Sequence, residues 1–238
     1  MTHDVCIRSW TGTVLLALTA LATPTLQAQS FCSSDRQTQP AALLERFISA
    51  DCETCWADGS DRARPNELAL DWIVPGSKGD DAPLSAAAST DTLARLASLQ
   101  RSAPVAAEMV RRRVEAPKRG LRVSLGLPFN DYVGASIELK SPQSDNWSAW
   151  LLLVETIPAG ADGTPIERNL VRNVLQLSWA APVPRTREQR TRLFESRPMS
   201  IPAGVRPERL RVVGWVQDGR SRMRAIAESR CPPSAPGG

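Results

Sequence analysis

Two cysteines separated by two residues, in Asp51-Cys52-Glu53-Thr54-Cys55, have the spacing in this sequence that points most directly to chemistry. Two intervening residues let both sulfurs meet in one tight turn, so the pair can pass between dithiol and disulfide. If a helix starts at this turn, its first amides stabilise the Cys52 thiolate. Cys52 is then the attacking sulfur and Cys55 the thiol that resolves the mixed disulfide. Glu53 opposes that activation with a negative charge beside the thiolate, and no histidine or lysine offsets it. A second reading of the same residues is an inert staple across a loop. A third, zinc, would need four thiolates to converge from widely separated positions. Trp56 directly follows the pair and is placed to shield it.

The other cysteines bear on the same question. Of five, Cys6 lies in an N-terminal segment read as removable, which leaves Cys32, Cys52, Cys55 and Cys231. Four cysteines allow three pairings. Spacing favours Cys52 with Cys55 and a structural bridge from Cys32 to Cys231, joining chain ends that in many domains lie close together. The one histidine, His3, falls in the removable segment. The mature chain therefore lacks the parts for a Ser-His-Asp or Cys-His site and for a histidine-containing zinc site. Acid–base chemistry would fall to Asp, Glu, Lys or the one tyrosine, Tyr132. The adjacent carboxylates Asp80 and Asp81 sit in a polar stretch and read as a solvated turn. No glycine-rich phosphate loop and no G-x-S-x-G occurs, and neither a cofactor nor a metal is expected.

Residues 1–28 have the layout of a secretory signal peptide. Arg8 supplies the charge, Thr13 to Ala22 the apolar run, and Leu26-Gln27-Ala28 the small residue at the cleavage site. The apolar run is shorter than the ~20 residues a spanning helix needs. The expected location is thus periplasmic or secreted, with no membrane span after cleavage. A net charge of +4 from 29 basic and 25 acidic residues is mild. The clusters Arg111-Arg112-Arg113 and Arg185 to Arg192 lack interleaved aromatics and read as a solvated basic face, so nucleic acid is not an expected partner.

Two stretches of different texture must position the cysteines. Ala41 to Ser49 reads as a strand leading straight into the C-x-x-C. Leu68 to Val74 reads as a buried strand stopped by Pro75-Gly76, and Asp91 as the cap of a helix carrying Leu93, Leu96 and Leu99. From Leu121 onward, short strands separated by turn residues dominate: Leu121 to Leu127, Val133 to Leu139, Ala149 to Ile157, Asn169 to Trp179, Leu210 to Gln217 and Met223 to Ala227. Residues 182–209 read as a long surface connection with one short strand, and 232–238 as a disordered tail. Trp147, Trp150, Trp179 and Trp215 fall in or beside strands, where core packing accounts for them as well as a carbohydrate platform would.

Leu44-Glu45-Arg46-Phe47-Ile48-Ser49 before the C-x-x-C resembles the opening of a family of secreted thioredoxin-like proteins of unknown function. Three later segments are similar to that family in the same order: Lys78-Gly79-Asp80-Asp81-Ala82-Pro83, Asn169-Leu170-Val171-Arg172-Asn173-Val174, and Leu210 to Asp218. The family's histidine- and aromatic-rich second strand is replaced here by Asp71-Trp72-Ile73-Val74-Pro75. The resemblance implies an α+β chain, with a thioredoxin-like α/β domain over 29–117 followed by a β-rich, sandwich-like module over 118–231. It also implies a cis-proline facing the cysteine pair, for which Pro104 is the candidate. The function expected is thiol–disulfide exchange through Cys52 and Cys55 with protein or small-molecule thiols of the cell envelope. The alternative is a non-catalytic binding or structural protein in which both disulfides are staples.

Overall fold

The computed structural model describes residues 32–117, 120–140, 142, 146–179 and 191–231. The expected signal peptide, residues 1–28, and the expected tail, 232–238, lie outside the described residues. In chain order the elements are β1 (Cys32–Ser33), β2 (Ala42–Ser49), α1 (Glu53–Ala57), β3 (Glu67–Val74), α2 (Thr90–Ser98), β4 (Ala107–Arg113), β5 (Leu121–Leu125) and β6 (Tyr132–Lys140). They continue as β7 (Trp147–Ile157), β8 (Arg168–Ser178), β9 (Arg192–Ser200), β10 (Leu210–Asp218) and β11 (Met223–Glu228).

The strands form two sheets, ordered β11-β10-β7-β8-β3-β2-β4 and β1-β5-β6-β9. β2 runs parallel to β3 and β3 to β8, and the remaining neighbours are antiparallel. The smaller sheet lies face to face on the β7–β10–β11 side of the larger one. Its inward residues Val123, Leu125, Ala135 and Ile137 meet Ala149, Leu151, Leu153, Val212 and Val216. The opposite face of the large sheet buries Phe47, Leu70, Trp72, Leu152, Val213 and Trp215, joined by Leu96 of α2. β7 is therefore covered on both faces. That is why Ala149 to Val154 is almost unbroken in apolar residues rather than alternating. The sheets approach closely at Gly214, where an added Cβ would come within 2.8 Å of Val123 Cγ1 and 2.9 Å of Ile137 Cδ1.

This architecture corrects the expected thioredoxin-like α/β domain over 29–117. The protein is mostly strand, and the helices of that stretch are a five-residue turn and one nine-residue helix. α1 stops after Ala57, with Gly59 close behind, and residues 79–88 hold two three-residue 3-10 turns rather than an α-helix. β2, β3 and β4 are not a sheet of their own. β3 pairs onward with β8, with Asp71 opposite Leu170, so the large sheet draws strands from both sides of residue 117. The helix cap also differs from expectation. Ser89 accepts the Asp91 N–H at 3.1 Å, while Asp91 lies in the first turn. Leu93 is left 40% exposed, because the inward side of α2 is taken by Thr92, Arg95 and Leu96. Among the described residues no helix is long and apolar enough to cross a membrane.

The β10–β11 turn is held by one carboxylate. Asp218 accepts Arg222 Nη2 at 2.7 Å and Arg224 Nη1 at 2.8 Å, and its other oxygen takes the Arg220 N–H at 3.0 Å. Burial alone would raise its pKa. The hydrogen bonds from Arg222 and Arg224 and from the Arg220 and Arg222 amides more than offset that, and hold it below the ordinary carboxylate range. The folded chain therefore binds fewer protons at this site than the unfolded chain. Its contribution is full at neutral pH and fades as the solution becomes more acidic than about pH 4. Thermal unfolding across a pH series should show Asp218→Asn less stable than the parent at neutral pH, with the two converging in acid. A gap that does not change with pH would contradict this account.

Candidate functional site

β2 delivers the cysteines. It ends at Ser49, whose carbonyl accepts the Cys52 N–H at 3.0 Å, and Cys52 then caps α1. The Cys52 Sγ accepts the Cys55 N–H at 3.3 Å and lies 3.5 Å from the Thr54 hydroxyl. Cys52 and Cys55 form the expected disulfide, with their Cα atoms 5.3 Å apart. Both are half-buried, but differently. Cys55 packs against the apolar cluster of Ile48, Trp56, Ile73 and Leu170, whereas Cys52 stands outside it. Trp56 is buried behind the pair and donates its indole N–H to the Asp162 carbonyl at 2.8 Å.

Beneath the turn lies a buried ionic network that the sequence reading did not single out. Asp71 on β3 is 0% exposed, Arg168 at the start of β8 2%, and Arg46 on β2 3%. Asp71 accepts Arg46 Nε at 2.8 Å and Nη2 at 2.7 Å, Arg168 Nη1 at 3.0 Å and the Asn169 N–H at 2.9 Å. The rest of the Arg168 guanidinium braces the cysteine turn. Its Nη2 donates to the carbonyls of Trp56 at 2.8 Å and Asp58 at 2.6 Å, with Cys55 O at 3.5 Å, and its Cζ lies 5.2 Å from the Trp56 ring centroid. Burial pulls the Arg168 pKa below the ordinary value, against the opposing pull of the Asp71 charge. The signal for this network was present as charged residues inside apolar runs, Arg46 in ALLERFIS and Asp71 in LALDWIV.

The electrostatics around the sulfurs are mild to unfavourable for a thiolate. Asp51 accepts the Ser77 hydroxyl at 2.8 Å and the Ser77 N–H at 2.7 Å, which lower its pKa, and Asp58 is lowered by the Ser60 amide and hydroxyl. Glu53 is exposed within the turn. The positive charge nearest the turn in this network, Arg168, is directed at backbone carbonyls. A Cys52 thiolate would therefore rest chiefly on the Cys55 amide. Beside the network opens a cleft of about 350 Å³, lined in part by Arg46, Arg62, Asn169 and Arg211.

The remaining predicted residues fall elsewhere. Cys32 and Cys231 form the expected bridge, separate from the C-x-x-C disulfide. It lies where Ser33 and Arg230 exchange backbone hydrogen bonds, and so fastens β1 of the small sheet to the end of β11. Pro104 precedes β4, close in sequence to Ala106, whose carbonyl accepts the Ser49 N–H at 2.8 Å. It is not a cis-proline, because the described residues contain no cis peptide bond. The segment runs directly from α2 into the antiparallel pairing of β4 with β2, with the proline in the ordinary trans form. No family model, curated protein or solved structure matches this chain.

Proposed function

We propose that the chain is an exported protein that exchanges thiols and disulfides through Cys52 and Cys55, acting in the periplasm or outside the cell. One observation carries this reading: the backbone of the cysteine turn is fixed by Arg168 and Trp56 independently of the disulfide, while Cys52 stands outside the apolar cluster that holds Cys55. Opening the disulfide therefore leaves the two thiols in register. In the reduced form, the Cys52 thiolate attacks a partner disulfide and forms a mixed disulfide, and the first partner sulfur leaves as a thiolate. Cys55 loses its proton and attacks Cys52 Sγ, which closes the intramolecular bond and releases the second partner sulfur. The partner gains the two electrons the cysteine pair loses, and a dithiol donor must return them for another turnover. With carboxylates at Asp51 and Glu53, the thiolate is only modestly stabilised, which favours the disulfide and places the pair on the reducing side.

The same carboxylates, together with the trans Pro104, favour a second reading, in which both disulfides are staples of a non-catalytic envelope protein. One set of measurements separates the two. Alkylation of the reduced protein over a range of pH should label Cys52 faster than Cys55. The Cys55→Ser variant should accumulate a mixed disulfide with an added disulfide substrate. Slow and equal labelling, with no trapped adduct, would instead establish the staple.

A further inference from the structure

The face of the large sheet that carries α2 is apolar along most of β7, β8 and β10 and turns polar at one end. One cross-strand row holds Val174, Leu152 and Val213, and the next holds Gln176, Trp150 and Trp215. The last row holds Ser178, Ser148 and Gln217. Trp150 and Trp215 stack at 5.5 Å, and the Arg95 guanidinium covers both rings at 4.7 and 4.9 Å. Arg95 is 1% exposed and makes a two-pronged pair with Glu45, which is 0% exposed, so this charge is neutralised. Arg112 of β4 is different. It donates Nη2 to the Ser221 carbonyl at 3.0 Å and forms no ion pair among the described residues. Burial and the neighbouring Arg95 charge push its pKa down, against the smaller opposing pull of the Glu45 and Glu115 charges, and an incoming anion would relieve what remains.

These groups surround a recess of about 420 Å³, which is within the size range of small-molecule sites. Among the described residues no carboxylate lines it, which rules against a cationic ligand, and Leu99 and Trp150 are its large apolar walls. One guanidinium without an ion-pair contact among the described residues suits one negative charge. Glutamine and serine side chains both donate and accept, so Gln176, Gln217, Ser148 and Ser221 suit a ligand that does the same. A fully deprotonated oxyanion such as sulfate only accepts and hydrogenphosphate has few donors, whereas a ring of hydroxyls donates and accepts at several positions. We propose that this recess binds a uronic acid, a sugar ring carrying one carboxylate, with the carboxylate on Arg112 and the hydroxyls on the glutamines and serines.

Titration calorimetry of the full chain with sodium D-glucuronate tests this, with D-glucose and sodium acetate as comparators that each carry half of the recognised chemistry. Glucuronate should bind at least about tenfold more tightly than either. Arg112→Gln should weaken glucuronate about tenfold, as should Gln176→Ala, a change at an exposed position that leaves the fold undisturbed. Three results would overturn the proposal: no glucuronate binding, acetate binding as tightly as glucuronate, or affinity unaffected by both substitutions.

Discussion

Asp71→Asn should lower the stability of the folded chain by about 3–5 kcal/mol, measured by denaturant unfolding. The carboxylate accepts from two buried guanidiniums and one amide, and each contact is between 2.7 and 3.0 Å. An asparagine keeps the shape but leaves Arg46 and Arg168 as neighbouring buried cations without their shared carboxylate. It also turns one acceptor into a donor facing donors. The penalty comes mainly from this uncompensated charge, not from the loss of a favourable pair, since a buried ion pair by itself contributes little net stability. Because Arg168 also holds the Trp56 and Asp58 carbonyls, the damage should reach the cysteine turn. Cys52–Cys55 should be reduced faster in the variant than in the parent. A loss below about 1 kcal/mol would mean that water already compensates these charges.

Removing the Cys32–Cys231 bridge with paired serine substitutions should cost far more than removing Cys52–Cys55 in the same way. The two sulfurs of the first close a loop spanning 199 positions, against three for the second. In the chain-entropy model the difference is about 5 against about 2 kcal/mol, with native strain lowering the realised values. The bridge has structural work that supports the larger figure. β1 is only two residues long, and it holds its place between β5 and Arg230 by a few backbone hydrogen bonds. Calorimetric unfolding of the two double variants against the parent measures both costs. Equal costs would mean that the ends of the chain are held by packing without the covalent link.

Much of the β architecture could be read from the sequence because it rests on local pattern. All six strands expected after residue 120 occur, within a few residues at their ends, as do the strand before the cysteines and the one over Leu68 to Val74. β4 was not legible. Ala107–Arg113 ends in three consecutive arginines and reads as a solvated face, and it is indeed an edge strand, where charge discourages pairing with other chains. β9 was half legible: one short strand was expected within 182–209, and Arg192–Ser200 is a strand of nine residues. It carries Pro198, which a strand tolerates at an edge, and β9 is the edge of the small sheet. The thioredoxin-like expectation failed for a different reason. The order strand, cysteine turn, strand, helix is real, but nothing local reveals that β3 takes β8 as its next neighbour. The ionic network was half legible. A charged residue inside an apolar strand announces that it needs a partner, but the identity of that partner, 97 residues away in Arg168, is set by topology alone.

The clasp between β1 and β11 also governs how the protein is made. Synthesis from the N-terminus presents Cys32, Cys52 and Cys55 close together, well ahead of Cys231, the partner of Cys32, which follows the last strand. If the chain is exported as proposed, an oxidising compartment meets these three thiols while only one native bond can form. A nascent chain oxidised early, with Cys32 tied to Cys52 or Cys55, reaches the native pairing only by thiol–disulfide reshuffling. Under that proposal, the yield of correctly assembled protein should follow the isomerising capacity of the compartment more than its oxidising strength.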